Sequence, residues 1–509
     1  MEMRAIRENV YLERRAGSVR SQAVVEGEIT LPGGLREEAR VLHAGAMAYL
    51  NSMEASQDRV TAAGRVTFHA LYTQGDPGKV CAMEATADFS HMMDVPGAQP
   101  RMACHGDVTV EHVEATASGG RLMLRAVLLL CARVAGTQPV SALTGVTGAE
   151  GLQIKTQEVA LRRTVATGEG ETLLREEFAL PESLRIRETL CGRAVCQVSE
   201  VTGGMGRVGV GGTVQLEIYH ASDLPGKPLV VTRHTAPFLH AVETAGEDGE
   251  MLSGQAVVKD VAVASQEGAE GERTLRVEVL LGVTAHVDRR EKLTLLQDAY
   301  TTSGEALALT TSSVQYRVDD ASAQAAESGR CMLMLPEGSP AARTMLCAFV
   351  TPVMTGREQH GGRLTVEGML EVALLYMTDD SPAPVTVRQE EPFRLTFAAE
   401  AAEEDAIALT VWDTEAAVIT SDRIEVKYVM HLTATGSRTA SATLVTDAAP
   451  VDAPEPARGV VLCFPQPGET LWDIAKRYRV PLDTVKRMNP GAEEGGSKGV
   501  VVWRRCAAE

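Results

Sequence analysis

Gly204, Gly206 and Gly209 stand at the spacing of a phosphate-binding glycine loop, in which backbone N–H groups at a helix start take a pyrophosphate. The chain does not continue as that chemistry requires, because residues 211–216 (Gly-Gly-Thr-Val-Gln-Leu) have the pattern of a strand, so the glycines predict a turn. His105 with His112, and His234 with His240, could bring imidazoles together across strands, but neither pair is joined by Cys or carboxylates at metal-ligand spacing. Cys191 and Cys196 are five positions apart and point to opposite faces of a regular strand, which predicts packing. Asp319-Asp320, Asp379-Asp380 and Glu403-Glu404-Asp405 are paired acids without an apolar wall to raise a pKa, and they predict solvated loops instead of general acid–base catalysis. No GxxxxGK(S/T), HExxH or GxSxG occurs. These residues predict no catalytic residue, no metal ligand and no cofactor, hence no enzyme.

Chemistry of binding is concentrated at the C-terminal end. Residues 458–505 hold nine Lys or Arg against five Asp or Glu, a local +4 in a chain of formal net charge −19. Lys476, Arg477, Arg479, Lys486 and Arg487 cluster there and would steer an acidic protein partner, with an effect that weakens as salt rises. Trp472 lies off the apolar stripe Leu471, Ile474, Ala475 and Tyr478, which predicts a partly exposed ring able to anchor an interface. The overall acidity argues against nucleic acid and anionic membrane surfaces.

The elements that carry these residues follow from local signals. Val460 to Phe464 has a strand pattern, Pro467-Gly468-Glu469 a turn, and Thr470-Leu471-Trp472-Asp473 the start of a helix with a capping spacing, running to about Arg479. A second helix with Leu482, Val485 and Met488 stops at Asn489-Pro490, and Gly499 to Trp503 closes the module as a strand. The order is β-α-α-β.

The remaining 450 or so residues of the 509 repeat themselves. Leu31-Pro32, Leu180-Pro181 and Leu335-Pro336 close β-like runs, and Val10-Tyr11-Leu12, Val159-Ala160-Leu161 and Val314-Gln315-Tyr316 begin 22 residues before each proline. Downstream, Arg59 to Gly64, Arg207 to Gly212 and Arg363 to Gly368 each precede a strand ending in Tyr72, Tyr219 or Tyr376, followed by Phe89, Phe238 or Phe393. The alternating segments from Arg121, Arg273 and Arg423 end each unit. With aromatics at 4%, this recurrence predicts three copies of one β domain of sandwich or barrel type: residues 1–149, 150–305 and 306–447. A Pro-, Ala- and acid-rich linker at 448–457 then leads to the module at 458–505. Nine scattered cysteines predict a reducing compartment, and the longest apolar run, Ala126 to Ala132, is too short to span a bilayer, so the expectation is a soluble cytosolic protein.

Pro467 to Tyr478 with Met488-Asn489-Pro490 resembles a LysM domain, and the resemblance covers residues 458–505. It implies a shallow groove formed by Gly468, Glu469, Thr470 and Leu471 with Met488, Asn489, Pro490 and Gly491, of a kind that takes N-acetylglucosamine-containing glycans. The repeats look like SPOCS domains, and the whole layout is similar to the SipL/SpoVID-like spore coat morphogenetic proteins. That resemblance implies a mother-cell scaffold at the forespore surface, later in the spore coat, whose LysM domain docks on a SpoIVA-like basement-layer ATPase. Other coat proteins and peptidoglycan stand as further partners, and a glycan-binding protein using the LysM groove is the alternative.

Overall fold

The computed structural model describes residues 3–31, 39–74, 76–118, 120–204, 206–246, 249–267, 272–401, 406–452, 459–490 and 499–504. It is mainly β, with a small helical module at the C-terminal end. The first repeat consists of β1 (Arg4–Thr30), β2 (Arg40–Ser56), β3 (Arg59–Gln74), β4 (Asp76–Asp94), β5 (Ala103–Ser118) and β6 (Arg121–Thr147). The second has β7 (Leu152–Leu180), β8 (Ile186–Gly204), β9 (Arg207–Leu224), β10 (Lys227–Glu243), the dipeptide β11 (Ala245–Gly246), β12 (Met251–Glu267) and β13 (Arg273–Thr301). The third has β14 (Ala306–Met334), β15 (Thr344–His360), β16 (Arg363–Met377), β17 (Val385–Phe397), β18 (Ala406–Thr420) and β19 (Arg423–Val451).

Each repeat is built the same way. The first strand pairs with the last and the last with the fifth, giving β1-β6-β5, β7-β13-β12 and β14-β19-β18; the middle three form β2-β3-β4, β8-β9-β10 and β15-β16-β17. Every ladder is antiparallel, and the two sheets of a repeat pack face to face over an aliphatic core, as in a sandwich. Phe68 and Leu124, Ile218 and Leu281, and Leu374 and Val426 are examples of core residues from the facing sheets.

The recurrent glycines have a geometric cause. Gly64, Gly212 and Gly368 lie directly opposite Phe89, Phe238 and Phe393 on the neighbouring strand. A Cβ on any of them would stand 2.0–2.2 Å from the carbonyl oxygen of Tyr49, Gln197 or Val353, so only glycine fits, and the facing phenylalanine covers the gap. Counting from these glycines corrects the tyrosine alignment. Tyr72 and Tyr376 lie eight residues on and enter their own repeat's core, whereas the matching residue of repeat 2 is His220. Tyr219 points the other way, into a cluster shared by all three repeats that includes Leu71, Leu229, Phe349 and Leu375.

The outer strands are far longer than a sandwich needs, because 27–29 residues extend roughly 90 Å at the usual rise. Their distal halves form three two-stranded ribbons that converge. Val10, Leu12 and Ala142 of repeat 1, Val159, Leu161 and Leu295 of repeat 2, and Tyr316 and Leu444 of repeat 3 make one buried cluster, and Leu143, Val146, Leu296, Ala299, Val445 and Ala448 make the next. The three repeats are thus joined along a common stem. The stem also consumes part of the expected linker: Ala306 to Thr310 pair with Val451 to Asp447, so residues 447–451 are strand, while 453–458 lie outside the described residues.

Where stem meets sandwich, ladder breaks at Arg15/Gly17, Val287/Asp288 and Arg317/Asp319 admit a node of charge. The Asp288 side chain is 1% exposed, and its Oδ2 accepts from Arg162 at 2.7 Å and Arg317 at 2.9 Å. Arg162 also donates to Asp319 at 2.7 Å, and Arg317 to Glu13 at 3.0 Å and to Asp320. Asp319-Asp320 is therefore not a loop pair facing only water but part of the junction between repeats, part-exposed and held by Arg317 of its own strand and by Arg162, which is 157 positions from Asp319. Asp379-Asp380 is exposed as expected, and Glu403-Glu404-Asp405 lies outside the described residues. A similar clamp holds repeats 2 and 3: Glu217, 5% exposed at its side chain, accepts from Arg193, Arg233 and the Tyr219 hydroxyl, while Arg233 donates to the Thr414 carbonyl at 2.6 Å.

Candidate functional site

The C-terminal module opens with β20 (Gly459–Cys463), continues through α1 (Leu471–Arg477) and α2 (Leu482–Met488), and closes with β21 (Val500–Arg504), which pairs antiparallel with β20. Leu471, Ile474, Ala475, Val480, Val485, Val500 and Val502 form its core. Gly468, at φ +83°, makes the turn into α1. Thr470 caps the helix: its hydroxyl accepts from the Asp473 backbone N–H at 3.3 Å, and its own N–H donates to Asp473 Oδ2 at 2.9 Å. Burial opposes the Asp473 charge, but the Thr470 hydroxyl and N–H outweigh it and keep the carboxyl below its usual range.

The expected groove residues have mixed fates. Leu471 is a core residue, and Glu469 is held by the Gln466 N–H and the Arg477 guanidinium. Asn489 is fully engaged inside the module, donating to Val485 O at 2.8 Å and Val501 O at 2.7 Å and accepting from the Val501 N–H at 2.7 Å. It ties the end of α2 to the edge of β21. Met488 and Pro490 are exposed, as is Gly468; Gly491 lies outside the described residues.

Among the expected partner-binding residues the structure makes a sharper division. Trp472 is only 6% exposed, contrary to the expectation of a partly free ring. The side of α1 away from the module's own core is covered by repeat 2: the Trp472 ring meets Tyr300 edge to face at 5.0 Å, and its Nε1–H donates to Asp298 Oδ2 at 2.8 Å. Lys476 donates to the other oxygen of Asp298 at 2.6 Å. Arg479 is likewise buried, donating to Thr301 O and Oγ1 at 3.0 Å each and to Gly304 O. The Tyr300 hydroxyl returns a bond to Val480 O at 2.9 Å. Arg477, Lys486 and Arg487 remain exposed, with Arg477 paired to Glu469. No periodicity in the module could reveal Asp298 and Tyr300, because they belong to another domain.

Elsewhere, the residues with latent chemistry are used structurally. The glycine-spaced segment is the β8 to β9 hairpin, with Gly203 and Gly206 at positive φ and no helix after it. Cys191 enters the three-repeat cluster and Cys196 packs on the core of repeat 2, on opposite faces of β8. His105 faces His286 of repeat 2 edge to face at 5.2 Å rather than His112. Both line a cavity of about 440 Å³ where the three repeats meet. Burial, then the neighbouring His286 and the guanidiniums of Arg133 and Arg317, push the His105 imidazole down to about 4. The cavity's charged side chains bond to one another or to backbone: Arg133 to Thr435 O at 2.6 Å, and Arg317 to Glu13 and Asp320. For Glu217, burial raises the carboxyl, but Arg193, Tyr219 and Arg233 prevail and hold it ionised below its usual range, unsuited to acid catalysis.

Comparison with known families agrees with the two kinds of unit described. Residues 39–118, spanning β2 to β5, match the SipL SPOCS domain, and residues 466–494 match the LysM domain. In these two domains the chain matches a SipL/SpoVID-like protein. Both domains are non-catalytic binding domains, and together they support a sporulation coat-associated protein with a LysM module. No curated protein and no solved structure matches it. Among the described residues no helix is long and apolar enough to cross a membrane.

Proposed function

We propose that this protein is a non-enzymatic scaffold of spore coat assembly, working at the forespore surface in the mother cell, whose LysM module docks on a SpoIVA-like basement-layer protein. The observation that carries the reading is the basic outer surface of α2, where Lys486 and Arg487 are exposed on a chain whose net charge is −19. An acidic protein surface is the complement of that patch. Repeats 2 and 3 share strand order with repeat 1, which supports reading all three as SPOCS domains and the chain as the domain series 1–149, 150–305 and 306–447 followed by the LysM module. Residues of all three repeats share the buried clusters of the stem, which supports one large platform instead of three independent heads.

Glycan binding in the LysM groove is the second reading, favoured by the exposure of Gly468, Met488 and Pro490 along its two edges. Thr470 and Asn489 are already bonded within the module, which supports the protein reading. The full chain is to be tested for binding to a SpoIVA-like protein and, side by side, to chitin and peptidoglycan fragments. Binding to the protein, weakened at least tenfold by Lys486→Glu with Arg487→Glu, is the expected result. Retention on glycan alone, indifferent to those charges, would overturn it in favour of envelope attachment.

A further inference from the structure

The ends of the three stem ribbons are built alike up to one point. In each repeat the last strand resumes its ladder after a register break at Gly145, Asp298 or Asp447, paired respectively with Ile6, Lys155 and Thr310. Two residues further on stand Thr147, Tyr300 and Ala449. Repeat 1 therefore has neither an acid nor an aromatic ring at these two positions. Repeat 3 has an acid, but Asp447 is paired with Arg7 of repeat 1, and it has no ring. Of these three pairs of described positions, only that of repeat 2 presents an aspartate and a tyrosine together, and it is there that the LysM module sits.

The fit is chemical as well as steric. Asp298 divides its two oxygens between an indole N–H and an ammonium that lie four residues apart on one face of α1, at 2.8 and 2.6 Å. Lys155 of the same ribbon adds a favourable charge opposite Asp473. Arg479, just past the helix, holds φ +50°, a left-handed conformation that normally goes to glycine at this point. Its fork reaches Thr301 and Gly304, and these bonds hold a backbone conformation that is strained for an arginine.

We infer that the end of the β7 and β13 ribbon is a dedicated receptor for the LysM module within the same chain, selective for repeat 2, and that a docked module has its Trp472, Lys476 and Arg479 face closed to outside ligands. A partner that recognises that face, an acidic protein surface by its chemistry, competes with Asp298 and binds only as the module is released. A partner that uses Lys486 and Arg487 binds without release. The inference extends the proposed docking function but does not need it, because the receptor is a property of this chain alone.

The test uses the full chain and two readouts. Hydrogen exchange of the α1 amides is compared in wild type, Asp298→Asn and Tyr300→Ala, with the β8 to β10 amides as an internal control for folding of repeat 2. Exchange in α1 about tenfold faster in both variants, with the control unchanged, is the expected result; α1 exchange equal to wild type in both would overturn the receptor. Should Tyr300→Ala loosen the control amides, Lys476→Glu, which sets two acids against each other from the module side, supplies the same measurement without touching repeat 2. Binding of a poly-glutamate peptide is the second readout, and Tyr300→Ala, which changes no charge, should raise it severalfold by freeing Lys476 and Arg479. Faster α1 exchange with no gain in poly-glutamate binding would uphold the receptor while overturning the competition of an acidic partner for the Lys476 and Arg479 face.

Discussion

Two junctions hold the parts of this chain together, and they are made of different materials. The stem joins three repeats through two aliphatic clusters and a charge node in which Asp288 is almost wholly shielded from water. The LysM junction joins one module to one repeat through a Trp on Tyr contact, one aspartate and one arginine, and Lys476 there keeps 40% of its side chain exposed. Burial decides how each behaves. A shielded charge cannot be re-solvated piecemeal, so the stem separates only when the whole fold does, whereas a half-wet ion pair is worth little on its own and can open. The comparison assigns permanence to the stem and reversibility to the latch.

Removing a single arginine from the stem is the strongest way to break that assignment. Arg317→Ala strips Glu13 of its cation and leaves Asp288 and Asp320 with Arg162 alone. Loss of one member of a buried pair costs about 3–5 kcal/mol, so thermal unfolding should begin several degrees lower and lose its single transition as the repeats come apart. An unchanged melting curve would mean that the aliphatic clusters alone hold the stem and that the node is incidental.

The next effect is the share of the pH dependence that comes from the side of the stem bordering the cavity. His105 faces His286, Arg133, Arg317 and Asp320, and in the folded protein its imidazole titrates near 4 against 6.5 when unfolded. A depressed histidine favours folding in its neutral form, so its contribution is complete above pH 6.5 and is lost as the pH falls from there towards 4. The full loss amounts to roughly 3 kcal/mol. Melting temperature measured from about pH 7.5 to about pH 4.5 should therefore fall more steeply in wild type than in His105→Asn, whose amide does not titrate. Parallel curves would show that this contact between repeats 1 and 2 is no more shielded than the latch.

What the sequence made legible divides along the same line. Repetition, the Leu-Pro stops, the glycine and phenylalanine pairs and the β-α-α-β order are local or periodic signals, and each corresponds to an element of the structure. Trp472 defeated a helical-stripe argument because the stripe describes only the module's own core, while the other side of α1 is covered by Asp298, 174 positions away, and its neighbours. Asp319 and Asp320 were opaque for a related reason, since Arg162 of another repeat completes an environment that Arg317 of their own strand begins. The one-residue slip at Tyr219 shows the limit of aligning aromatics: strand period makes neighbours face opposite ways, and in repeat 2 the tyrosine serves the junction while His220 takes the core position, bonded to Thr189 and Thr232.

The smallest expected effect separates the latch from the module that carries it. Arg479 lies at φ +50°, so Arg479→Gly relieves the backbone and should leave the module's own stability unchanged or higher by up to about 1 kcal/mol. The same substitution deletes the bonds to Thr301 and Gly304, so docking on repeat 2 should weaken. The two consequences have opposite signs, and hydrogen exchange reads both: amides inside the module core, such as Val485 and Val502, should exchange no faster, while the Tyr300 strand should lose protection. Arg479→Lys keeps the charge without the planar fork and should behave like glycine at the Tyr300 strand. If glycine instead left the strand protected, the arginine's strained conformation would have to be explained by the module alone, and the latch would rest on Asp298 and Tyr300.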